Sequence, residues 1–271
     1  MNKSLTMALV VTALIVAGYA FGVVCAHIGE GYALLLSPSS DLLVLLVEFL
    51  IALAAVAVAA GLVAVLLRPL WLGFAAFALS TLALVLGWEA SLTGGLLAAL
   101  YLLAGAAYVV AVDRELNQRL RFSVHPVVDS QSVLRLVLIF VACAVLYLGT
   151  APRIQREGFS IPDAYLDPLA QQMEKQVVAS VPQDQRAEAA REFRKQFRSM
   201  MDGLVERTLG QYQRFLPALV VSSVFMSLVT IVNLLAWVPG LVLQLLFSLF
   251  VVLGVTKTII ATCEVERITL A

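Results

Sequence analysis

The sequence predicts an all-α integral membrane protein of about seven transmembrane helices, with a helical extracytoplasmic insert between spans five and six. Three observations predict it. Hydrophobic residues make up 61% of the 271 and charged residues only 13%, whereas soluble domains carry about 25% charged and 45–50% apolar residues. The excess apolar residues, reflected in a mean hydropathy of +0.95, fall in blocks of roughly twenty, the length a helix needs to cross about 30 Å of hydrocarbon. Charge is concentrated instead in one long segment, Pro152–Gln213.

The first span is Leu5–Ala26, whose apolar core exceeds the roughly 7–15 residues of a secretory signal. The second is about Leu42–Leu67, ended by Arg68-Pro69, and the third about Leu70–Trp88. The fourth is about Leu92–Val112 and the fifth, a short one after a polar loop, about Leu134–Thr150. Phe215–Trp237 and Leu241–Val255 form the sixth and seventh. This divides the chain into a five-span membrane domain (1–151), an insert (152–213), a transmembrane hairpin (214–256) and a polar tail (257–271).

Orientation follows the excess of Lys and Arg on the cytoplasmic side. Lys3, Arg68, Arg114, Arg119, Arg121 and Arg135 share one side, while the opposite short loops hold Glu30, Asp41 and Glu89. This predicts a multi-pass protein of the cell membrane with a cytoplasmic N-terminus and residues 152–213 extracytoplasmic. Small residues four apart, Ala55/Ala59, Ala57/Gly61 and Ala60/Ala64 in span two and Gly95/Ala99 in span four, predict close helix packing.

The insert begins a helix at Asp167-Pro168 and restarts one near Ser180-Val181-Pro182-Gln183. In the second helix Phe193, Phe197, Met200 and Leu204 recur at steps of three and four, placing them on one face. Arg191, Arg194, Lys195 and Arg198 occupy the other face. Two such helices cannot bury both sides of a core, so the apolar stripe meets its own domain, the membrane surface or a partner. It is the candidate partner-binding face.

Glu48 is the one acid well inside a span, about 10 Å below the outer boundary set by Asp41. An ionisable group at that depth raises a functional hypothesis, here ion or proton coupling. Pairing with Lys257, or a protonated carboxyl bonded to a neighbouring helix, accounts for it without transport. Asn233 and Gln244 lie symmetrically about Val238-Pro239, so in an antiparallel hairpin they reach one depth and form a polar clasp.

No catalytic motif is present: the sequence lacks HExxH, GxSxG and a phosphate-binding loop. Ser222 and Ser223 have no histidine or lysine nearby in sequence at their depth. Three cysteines and two histidines, His27 and His125 expected on opposite membrane sides, predict neither a disulfide framework nor a metal site. No cofactor is expected, and a formal net charge of zero gives no nucleic-acid signature.

The order of "VPQDQRAEAAREFRKQF", "NLLAWVPGLVLQLLF" and "EVERITL" is similar to a group of uncharacterised bacterial multi-spanning membrane proteins. The resemblance covers roughly the last hundred residues and implies that insert, hairpin and tail form a unit. It implies no activity, cofactor or catalytic residue. The leading expectation is a non-enzymatic accessory, scaffolding or assembly subunit. Its partners would be membrane lipids and other membrane-protein subunits, engaged through the extracytoplasmic helices. The alternative is a small-solute or ion/proton transporter using Glu48.

Overall fold

The computed structural model describes residues 3–31, 40–67, 69–88, 91–118, 125–157, 166, 170, 186–209 and 215–252. All regular structure among these residues is helical. The helices are α1 (Lys3–Glu30), α2 (Ser40–Leu66), α3 (Leu70–Gly87), α4 (Leu92–Gln118), α5 (His125–Glu157), α6 (Arg186–Leu209), α7 (Leu216–Leu234) and α8 (Trp237–Val252). Among the described residues, six segments are long and apolar enough to cross a membrane: α1, α2, α3, most of α4, Pro126–Ile154 of α5, and Leu216–Val252.

The bundle is assembled around α1, which packs on α3, α2 and α5. Its tightest seam has no large side chains. Gly18 lies on Ser80, Gly22 on the carbonyl of Leu84, and Gly87 on the carbonyl of Tyr19. Lipid supplies no hydrophobic drive between helices, so close backbone approach with many van der Waals contacts holds such seams. A second seam sets Gly149 of α5 on the carbonyl of Gly29.

Larger rings fill the spaces between seams. Phe21 meets Phe49 at 6.1 Å between centroids, and Phe77 meets Tyr101 at 5.9 Å. The small residues of span two behave as expected in part: Ala57, Ala59, Ala60, Gly61 and Ala64 are buried, while Ala55 faces outward. Gly95 has nothing within 4 Å of where a side chain would stand, so it makes no close packing.

Two elements differ from expectation. The fifth span is not short, because α5 runs 33 residues, about 50 Å. Gln131, expected in the polar loop, and Arg135, expected at the membrane edge, are both buried on its inward face together with Val127, Leu134 and Leu138.

The expected transmembrane hairpin is absent from the described backbone. α7 packs on α5, α8 packs chiefly on α2, and the two barely touch. Through the junction the helical bonding pattern continues with one tightened turn: Leu235 N–H donates to Ile231, Ala236 to Asn233 and Val238 to Leu235.

Neighbours confirm the direction of travel. Val221 and Ser222 line one pocket with Tyr147 and Leu148, Leu228 lines another with Ala142, Ala236 accepts a hydrogen bond from Arg135, and Gly240 lies on Val128. The chain therefore keeps descending along α5. Pro239 occupies the first turn of α8, where helix N–H groups lack partners anyway, so it starts a helix without forcing a reversal. The 16 described residues of α8 reach only about 24 Å, short of the hydrocarbon thickness.

Candidate functional sites

Glu48 lies in the third turn of α2, facing the end of α1. Its Oε2 is 3.9 Å from His27 Nδ1, and both side chains are about half exposed, 48% and 57%. Glu30, Gly31 and Asp41 join them around an open pocket of about 460 Å³. Three carboxylates and one imidazole form a polar rim at the loop end of two helices, not a polar group isolated among apolar neighbours. Among the described residues no group of three His, Cys, Asp or Glu side chains is arranged to hold a metal ion. Lys257, the partner considered for Glu48, lies outside the described residues.

The buried polar groups of the bundle are elsewhere, and sequence reading missed them. Ser80 Oγ donates to the Leu14 carbonyl at 3.0 Å and lies 3.1 Å from Tyr101 Oη. Gln131 Nε2 donates to the Ala57 carbonyl at 2.9 Å and lies 3.4 Å from Tyr108 Oη, which itself donates to Val127 at 3.2 Å. Both networks join three helices through one side chain that reaches a carbonyl. In hydrocarbon such bonds satisfy backbone and side chain together.

Arg135, 8% exposed, donates from Nη1 to the Ala236 carbonyl at 3.3 Å. Gln131 Oε1 and Arg135 Nε have no partner among the described residues. The signal was present in sequence: Val127, Gln131, Leu134 and Leu138 recur at steps of four, three and four.

The polar clasp is not formed. Asn233 and Gln244 are both exposed, and no hydrogen bond joins them. The cause is the missing reversal: once α8 continues away from α7, equal spacing about Val238-Pro239 no longer means equal depth.

On α7, Ser222, Ser223, Ser227 and Thr230 donate to carbonyls three or four residues back in their own helix. These hydroxyls are thereby satisfied without a base.

The apolar face of the insert divides in two. Phe197 is buried and Phe193 half-buried; their rings stack at 5.8 Å and pack with Met201 against Leu166 and Ala170. Met200 and Leu204 remain 55% and 50% exposed. Part of the stripe therefore closes a small core within the insert, and part of it stays open. The helix start at Asp167-Pro168, the restart at Ser180–Gln183 and the tail "CEVERITLA" lie outside the described residues.

No protein-family model matches the chain, and neither a curated protein nor a solved structure does.

Proposed function

We propose that this chain is a non-enzymatic membrane accessory or assembly subunit whose extracytoplasmic helices engage another membrane-protein subunit. The observation that carries this reading is the division of the α6 stripe. Phe193 and Phe197 are used internally, yet Met200 and Leu204 stay more than two-fifths exposed on a segment with a basic opposite face. An apolar pair displayed on a charged helix outside the spans favours protein contact. The packing of the bundle agrees: Ser80 and Gln131 each donate to a backbone carbonyl of another helix, and Ser222 donates to the Leu219 carbonyl of its own.

In this reading the protein sits in the cell membrane with its N-terminus cytoplasmic and residues 152–213 outside. Six crossings, with α7 descending and α8 continuing it, return the chain to the side of the N-terminus. The test is deletion of residues 167–210. The spans should still insert, and one specific co-purifying protein should be lost. Retention of the same partner by the deletion variant would refute the reading.

A second reading, ion or proton coupling at Glu48, is favoured by one observation, the approach of His27 within 3.9 Å. It requires that Glu48→Gln abolish flux in reconstituted vesicles while folding is unchanged. Equal flux for the variant would remove it.

A further inference from the structure

The junction between α7 and α8 holds a feature that the accessory reading does not use. A cavity of about 290 Å³ lies between α2, α5 and this junction, walled by Leu50, Leu53, Val232, Val238 and Pro239, with Arg135 as its charged member. Val47 and Ile51, both more than half exposed, form its lip on α2. The cavity therefore opens sideways between apolar side chains, not toward either end of the bundle. Its wall on α2, residues 47–54, lies beside the midpoint of the Ser40–Leu66 helix.

A guanidinium at that depth is costly unless an anion or several carbonyls neutralise it. Here it has one carbonyl, that of Ala236, and its Nε is buried and unpartnered among the described residues. No described carboxylate is within ion-pair distance. Asp129, exposed on the same helix, interacts through space only. The junction adds no carboxylate of its own, and the cavity wall it forms, Val232, Val238 and Pro239, is apolar.

We propose that this cavity binds an anionic amphiphile: its carboxylate or phosphate pairs with Arg135 at the start of α8, and its apolar chain leaves between Val47 and Ile51. The apolar walls disfavour a small hydrophilic anion, which would surrender its hydration to a single cation. An amphiphile needs no aqueous route, because the lip faces the lipid phase. The fork of the guanidinium suits both head groups, since carboxylate and phosphate each accept two parallel N–H bonds.

Trp237, in the first turn of α8, reports on the site. The full-length protein carrying Trp71→Phe and Trp88→Phe, which leaves Trp237 as the sole tryptophan of three, is reconstituted in phosphatidylcholine vesicles. Quenching of Trp237 is then titrated with dibromostearate, dibromo-phosphatidylglycerol and dibromo-phosphatidylcholine. The expected result is saturable quenching by an anionic probe, well above the phosphatidylcholine level at equal mole fraction. Saturation by dibromostearate alone identifies a fatty-acid carboxylate as the occupant; saturation by the phosphatidylglycerol identifies a phospholipid.

Arg135→Gln should weaken the saturable part about tenfold, and Arg135→Lys should keep most of it. Thermal unfolding of each variant distinguishes loss of binding from loss of fold. The proposal is overturned if anionic probes quench no better than phosphatidylcholine. It is equally overturned if folded Arg135→Gln quenches like the parent.

Discussion

Arg135 on α5 donates a hydrogen bond to the carbonyl of Ala236, 101 residues later, at the point where α7 gives way to α8. This long-range bond ties the last apolar segment to the bundle at the place where its backbone tightens by one turn. A neutral N–H to carbonyl bond contributes about 0.5–1.5 kcal/mol net, a charged one about 1.5–3. Burying the guanidinium offsets much of that.

Arg135→Met should therefore change stability by no more than about 1 kcal/mol, since loss of the bond and relief from desolvation oppose each other. Thermal unfolding in detergent measures it. A collapse of the fold would show that the residue is a structural anchor first.

The glycine seam between α1 and α3 should be far less forgiving. Gly22→Leu places a side chain against the Leu84 carbonyl, where only backbone fits, and should cost roughly 1–3 kcal/mol or more. Gly95→Ala, at a helical site facing open space, should instead stabilise by up to about 1 kcal/mol through helix propensity. Unfolding midpoints of the two variants should move in opposite directions.

Asn233 and Gln244 should be energetically independent. In a double-mutant cycle of Asn233→Leu and Gln244→Leu, the coupling should lie within about 0.3–0.5 kcal/mol of zero, as for sites that share no contact. A larger favourable coupling would restore the hairpin clasp.

The chain should end on the side where it starts. A reporter fused after Ala271 should read the same side as one fused before Met1, and one inserted near Arg198 the opposite side. Opposite sides for the two termini would require α8 and the tail to make a seventh crossing.

The helical class and the first four spans were legible because twenty-residue apolar blocks ended by Arg68-Pro69 and the loop near Glu89 admit few other folds. The start of α5 was not legible. Gln131 read as part of a polar loop and Arg135 as a residue at the membrane edge, although Val127, Leu134 and Leu138 around them keep helical spacing and bury one face. The tightest seam was written in plain sight as Gly18-Tyr-Ala-Phe-Gly22, whose four-residue interval matches the small residues noticed in span two. Val238-Pro239 misled for a physical reason: a proline suits a reversal and the first turn of a helix alike. Only the neighbours of Ala236 and Gly240 decide between the two.

For the candidate sites, residue type indicated Glu48, but its setting depends on His27, Glu30 and Asp41 meeting across two helices. The stripe of α6 was visible in the sequence as steps of three and four. Which of its residues are spent internally depends on Leu166 and Ala170, which contribute through tertiary contact alone.

The proposed role rests on the exposed Met200 and Leu204 of α6. The most direct measurement is affinity purification of the full-length protein from gently solubilised native membranes, beside the variant Met200→Glu/Leu204→Glu. Both positions face solvent, so the variant should insert and fold like the parent. The account predicts one specific protein recovered with the parent and lost from the variant. Recovery of the parent chain alone, or of the same partner with both, would contradict it.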